Sequence, residues 1–337
     1  ERETGAEDGD ALPDARLKLM FICAHPAIEA SVRTPLMLQT ILGLDAARIG
    51  SAFLVSQAAM GQRLTRAKAK IRDAGIAFEV PERKDLPGRL AAVLDAIYAA
   101  YGTAWDDVGG ADARRKGLAG EAIYLARLIV SLMPEEPEAR GLMALLLYCE
   151  ARSAARRTAD GAFVPLAEQD PKLWLRDLVI EAENHLTLAA QRGVFGRFQT
   201  EAAIQSVHVQ RPLTGVTNHK ALVVLYDLLA SREPSTGALV SRAAAHGEAF
   251  GPERGLTLLD ELPAKQVEAY QPYWAARAHL LGAAGDVAEA AKAFDRASAL
   301  SDDPAVQDFL RAKKAALGAW THTRASPRKA RQRLSGV

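Results

Sequence analysis

Residues 45–72 read DAARIGSAFLVSQAAMGQRLTRAKAKIR, and the fold class turns on how that stretch divides. Asp45 stands where an N-cap accepts a backbone N–H, and Ile49, Phe53 and Leu54 recur after it at helical spacing. A break of a few residues follows. Ser56 can then cap a second helix, in which Met60, Leu64, Ala67 and Ile71 form an inward stripe. That stripe leaves Gln57, Gln62, Arg63, Thr65, Arg66 and Lys70 on the outer face. A short helix, a break and a longer helix with a basic outer face is a helix-turn-helix pattern. A second helix of this kind, entering a major groove, offers amides and guanidinium groups to base edges and phosphates. The same spacing also fits a plain helical hairpin whose basic face is solvated.

The formal net charge is only +1 over 337 residues, so any surface for a polyanion must be local. It is: from Arg63 to Arg72 every charged residue is basic, and no acidic residue follows Asp308. The two cysteines, Cys23 and Cys149, lie far apart in apolar runs, which fits a reducing cytosol. Cys23 and His25 have no second donor pair at ligand spacing, so no metal site is expected. No apolar run approaches the roughly 20 residues needed to span a bilayer, and the N-terminus is acidic rather than signal-like. The expected location is therefore cytoplasmic, with no membrane partner.

Downstream of Pro81 and Pro87 the periodicity predicts helices at 89–101, 112–133, 137–154, 171–192, 198–210, 219–231, 236–248, 252–261, 267–282, 286–299 and 304–317. The interruption at 155–170 holds an Asp160-Gly161 turn between short extended pieces and predicts a hairpin or ordered loop. Asp170 with Pro171 is expected to start the next helix. Trp274, Gly285, Ala290, Phe294 and Ala297 fall at the spacings of a tetratricopeptide unit, and one such unit needs stacked neighbours to bury its apolar face. The expected fold class is all-α, a helix-turn-helix followed by a tetratricopeptide-like helical repeat domain.

Residues 17–81, LKLMFICAHPAIEASVRTPLMLQTILGLDAARIGSAFLVSQAAMGQRLTRAKAKIRDAGIAFEVP, resemble region 4 of bacterial RNA polymerase sigma factors of the extracytoplasmic-function subfamily. The remainder, from GEAIYLARLIVSLMPEEPEARGLMALLLYCEARSAARRTADGAFVPLAEQDPKLW through FGPERGLTLLDEL, is similar to the helical C-terminal extension, of the DUF6596 type, found on one group of those factors. Asp45, Arg48, Ser56, Gln57, Ala59 and Gly61 depart from that group's usual residues, and Gly61 inside a helix costs about 1 kcal/mol relative to Ala. The resemblance implies a division into an acidic linker (1–13), a region 4 helix-turn-helix domain (14–76), a linker (77–89), a helical extension (90–212), tetratricopeptide-like repeats (213–318) and a basic tail (319–337). It also implies a region 2 upstream, and the chain is read as a fragment lacking it.

The expected function follows from that resemblance: a non-enzymatic transcription initiation factor with no cofactor. Its implied partners are promoter DNA and the RNA polymerase core, engaged through region 4, with a protein or peptide ligand for the repeats. Gln57, Gln62, Arg63, Thr65, Arg66 and Lys70 are the DNA-contacting candidates. The segment FGRFQTEAAIQSVHVQRP (195–212) is similar to a characteristic stretch of the extension, and its Phe198, Gln199, Glu201 and His208 are candidates for a ligand or partner surface, or else for helix packing. Glu181, Glu183, Asn184 and His185 are read as a solvated face of one helix. Two rivals share these features: a stand-alone helix-turn-helix regulator with a repeat sensor domain, and a repeat scaffold for protein interaction. An enzyme has no support, because the chain lacks a phosphate loop, a nucleophile elbow and any close His/Asp/Glu cluster.

Overall fold

A computed structural model describes residues 12, 14–73, 79–105 and 113–317. The acidic stretch at 1–13, Leu12 aside, and the basic tail at 319–337 lie outside them. Among the described residues the chain is all-helical, with a single isolated antiparallel bridge between Arg157 and Phe163 and no strand. It divides into two compact units, Glu1–Leu147 with Thr187–Val194, and Tyr148–Leu186 with Phe195–Val337.

The first unit begins with α1 (Ala15–Cys23), α2 (Ala30–Thr40), α3 (Ala46–Ala52) and α4 (Gln57–Asp73). It continues with α5 (Leu86–Trp105), α6 (Ala113–Leu132) and most of α7 (Pro137–Ala151). Caps fix the starts: Asp14 accepts the Arg16 and Leu17 backbone N–H groups at 2.7 and 3.2 Å. α5 starts inside the stretch read as a linker and packs on α1, α2 and α3, so the first unit runs on to Leu147. Pro87 explains the difference. In the first turn of a helix its missing N–H is no loss, so it helps to start α5. Leu17, Phe21, Met37, Ile49, Leu64, Leu94, Ile97 and Leu125 lie at the centre, each less than 3% exposed.

The second unit holds most of α8 (Arg176–Ala190), then α9 (Arg197–Val209), α10 (Arg211–Thr214), α11 (His219–Arg232) and α12 (Thr236–Phe250). It ends with α13 (Pro252–Asp260), α14 (Ala264–Val267), α15 (Gln271–Ala284), α16 (Val287–Ala299) and α17 (Pro304–Ala315). The predicted helix at 171–192 is shorter than expected: Asp170 caps only a 3-10 turn at Pro171–Leu173, and α8 begins at Arg176. Trp174 is extended, which frees the Leu175 N–H to donate to the Ala151 carbonyl at 2.8 Å. That bond closes the long connection between α7 and α8 at its base.

α9, α11, α12, α13, α15, α16 and α17 form an array in which each packs on the next. Three apolar clusters run along it. Ile204, Leu222 and Leu229 centre the first, Val240, Leu259 and Leu280 the second, and Ala290, Phe294 and Leu310 the third. Trp274 packs against both the second and the third. Close approach there requires glycine: a Cβ on Gly255 would lie 2.7 Å from the Ala243 carbonyl oxygen.

Candidate nucleic-acid interface

The α3–α4 pair is built by its caps and by one tight turn. Asp45 accepts the Arg48 N–H at 2.9 Å, and the Ser56 hydroxyl accepts the Ala59 N–H at 3.3 Å. Between them the Val55 N–H reaches back to the Gly50 carbonyl at 2.8 Å. A Cβ on Gly50 would sit 2.5 Å from the Val55 oxygen, so the turn demands glycine there. The sequence places Phe53 and Leu54 on the apolar stripe of the first helix, and the structure corrects this. α3 ends at Ala52, Phe53 is its C-cap, and Leu54 occupies the turn at φ +54°, 68% exposed.

Met60, Leu64 and Ile71 of α4 are buried, whereas Gln57, Gln62, Arg63, Thr65, Arg66 and Lys70 are all exposed. These six do not act as one surface. Arg63, Arg66 and Lys70 line one wall of a groove of about 520 Å³ whose other wall is formed by Ala27, Ile28 and Glu29, just before α2, and by Ser31 and Val32 in its first turn. That wall is stiffened by Arg33, which donates to the Ile28 and Pro26 carbonyls at 2.8 and 3.0 Å. Gln57, Gln62 and Thr65 lie outside the groove, although Gln62 accepts from Arg66 at 3.4 Å and the Thr65 hydroxyl donates to the Gly61 carbonyl at 2.9 Å. Sequence reasoning missed Glu29 and Ser31 in this groove, because no local pattern says which earlier segment faces α4.

On the other side of α4 a groove of about 390 Å³ is lined mainly by Leu19, Cys23, Ile28, Leu36, Ile41 and Ile71, with Lys68 and Arg72 at its edge. Burial pushes the Cys23 thiol up, which suits an inert packing residue. Among the described residues no group of three His, Cys, Asp or Glu could hold a metal ion. No described helix is long and apolar enough to cross a membrane.

The second set of candidates lies on α9 and faces largely inward. Phe198 and Gln199 are buried, and Glu201 pairs with Arg197 at 2.9 Å. Desolvation drives His208 down to about 4, with Arg152, His219 and Arg211 adding repulsion, so its imidazole is neutral. Ser206 donates to Glu183 at 2.7 Å, and His185 lies 3.8 Å from Glu181. Of the α8 residues read as a solvated face, only Asn184 is exposed. Sequence reasoning missed the reason, which is that α9 brings Ser206 to the carboxylate of Glu183.

Residues 89–190 match a family of unknown function, DUF6596. An uncharacterized protein, R00370 of Rhizobium meliloti (strain 1021), is 38% identical over 304 residues, covering 90% of this chain and 72% of that protein, so the likeness spans both compact units. No solved structure matches the chain.

Proposed function

Because this chain belongs to one family with the uncharacterized Rhizobium meliloti protein R00370, which brings no activity with it, we propose a function from the resemblance of residues 17–81 to sigma region 4 together with the chain's own geometry. The chain is part of a transcription initiation factor of the extracytoplasmic-function sigma class. α3 and α4 act as its helix-turn-helix on promoter DNA, and the helical array, tetratricopeptide-like at Gln271–Ala299, modulates that engagement. One observation carries the reading. α4 buries Met60, Leu64 and Ile71 while presenting Gln62, Arg63, Arg66 and Lys70 to solvent, and this basic face stands out in a chain of net charge +1. Amides and guanidinium groups on a helix of that length suit base edges, and Lys70, further along, suits a phosphate. The apolar groove edged by Lys68 and Arg72 supports a second contact, with a helix of the polymerase core.

The test is selection from random DNA by the intact protein with core polymerase, wild type against Arg63→Ala. The variant should lose about 1 to 3 kcal/mol and relax preference at one base pair. An unchanged preference at every position removes the base-reading role. The same selection without core polymerase separates this reading from a stand-alone regulator, which would recover a palindrome unaided.

A further inference from the structure

The wall that faces Arg63, Arg66 and Lys70 across their groove has no part in α4 acting as a recognition helix, yet it is a built surface. Arg33 ties it down through the Pro26 and Ile28 carbonyls, and the Ser31 hydroxyl donates to the Glu29 carboxylate at 2.6 Å. That bond engages one carboxylate oxygen. The other is left available, since Glu29 stands at the N-cap position of α2 without capping it through its side chain. The buried side chains of Ile28, Val32 and Ile71 give the groove an apolar base.

The facing wall is cationic. Among the described residues none of Arg63, Arg66 and Lys70 pairs with a carboxylate, and Arg66 reaches only Gln62, at 3.4 Å. Spaced three and four residues apart, they share one side of α4 over about 10 Å of its axis. Three cations in so short a span favour a compact cluster of negative charge, and guanidinium forks favour phosphate oxygens. Glu29 narrows the choice. Its carboxylate repels a ligand that is anionic along its whole length in the groove, such as a nucleic-acid backbone or an acidic peptide. It attracts a ligand whose far end donates hydrogen bonds. The volume, about 520 Å³, falls within the roughly 300 to 1,000 Å³ of small-molecule sites.

We propose that this groove binds a nucleoside di- or triphosphate. Its phosphates meet Arg63, Arg66 and Lys70, its nucleoside lies against Ile28, Val32 and Ile71, and a sugar hydroxyl or exocyclic amine donates to Glu29. Arg63 and Arg66 are exposed and can turn into the groove or out to DNA, not both at once. A bound nucleotide therefore weakens DNA binding, and DNA weakens nucleotide binding by the same factor. That regulatory consequence rests on the promoter reading, whereas the site itself does not.

The experiment is calorimetric titration of the whole chain with ATP, GTP and inorganic triphosphate, free of divalent cations and of DNA, for wild type, Glu29→Ala and Lys70→Ala. ATP or GTP should bind wild type with a Kd below about 1 mM and at least about tenfold more tightly than triphosphate. Glu29→Ala should remove that preference by weakening the nucleotide and strengthening triphosphate, a crossover that loss of folding cannot give. Lys70→Ala should weaken all three ligands by about three- to tenfold. The proposal is overturned if neither nucleotide binds wild type, if triphosphate binds as tightly as the nucleotides, or if Glu29→Ala keeps the preference. Titration of wild type with labelled DNA at saturating ATP then separates the two readings. DNA affinity should fall by about tenfold, and an unchanged affinity overturns the coupling. A chain that binds ATP as described but no DNA keeps the nucleotide site and loses the promoter role.

Discussion

Leu54 carries a backbone strain that its sequence position does not announce. At φ +54° its Cβ crowds the following carbonyl, a conformation that costs roughly 1 to 2 kcal/mol for residues other than Gly, Asn or Asp. Its side chain is 68% exposed and returns little by burial. Leu54→Asn should therefore raise stability by about 0.5 to 1 kcal/mol, read as a higher urea midpoint at unchanged m-value. A lower midpoint would show that Leu54 has a packing partner that outweighs the strain. The caps at Asp45 and Ser56 were legible because they depend on residue type alone. The helix end before Leu54 was not, because it is set by the Val55–Gly50 bond across the turn.

His208 gives a second test at the same scale. Folded, its imidazole stays neutral down to about pH 4, whereas in the unfolded chain it takes a proton near its ordinary value of 6.5. Unfolding thus takes up a proton between those values. The stabilising contribution is full above about pH 6.5, falls as the pH drops, and is lost by about pH 4, a change of up to about 3 kcal/mol. Urea titrations at pH 7 and pH 4.5 should show a smaller pH step for His208→Gln than for wild type. Equal steps would remove the assignment.

At the scale of elements, most helices of the second unit follow the apolar periodicity, because each buries one stripe against its neighbours in the array, although the helix expected from 267 begins only at Gln271, after the short α14 ends at Val267. α11, α12 and α16 begin within a residue of expectation, since Asn218, Ser235 and Asp286 accept the N–H groups that begin them. The 171–192 helix failed at its start because closure of the α7–α8 connection outweighs the Asp170-Pro171 start signal. The orientation of α9 was not legible either. Its apolar and polar residues alternate too closely for a single stripe, and only its packed neighbours decide that Gln199 and Thr200 face inward. The glycines at helix crossings make the element scale testable. Gly255→Ala drives a Cβ to 2.7 Å from the Ala243 backbone oxygen, which cannot move without shifting α12, so a loss of about 1 to 3 kcal/mol is expected in urea unfolding. An unchanged midpoint would mean that α12 and α13 can separate freely.

At the scale of the whole molecule, charge is sorted rather than abundant. The chain is nearly neutral, yet Arg63, Arg66 and Lys70 share one wall of a groove on α4, and Lys68 and Arg72 edge another. The basic face could be read from spacing, since a helix with a Met60–Leu64–Ile71 stripe must turn its remaining side chains outward. Its partition into two grooves depends on α1 and α2, which no local pattern predicts.

Ion pairing with phosphates releases counterions, so a DNA-binding face declares itself in the salt dependence of affinity. The direct measurement is DNA-binding affinity of the whole chain over a range of salt concentrations, wild type against the triple variant Arg63→Ala/Arg66→Ala/Lys70→Ala. The account predicts a logarithmic salt slope shallower by roughly two to three in the variant, with weaker binding throughout and an unchanged melting temperature. A triple variant that binds DNA with the wild-type affinity and slope would contradict it.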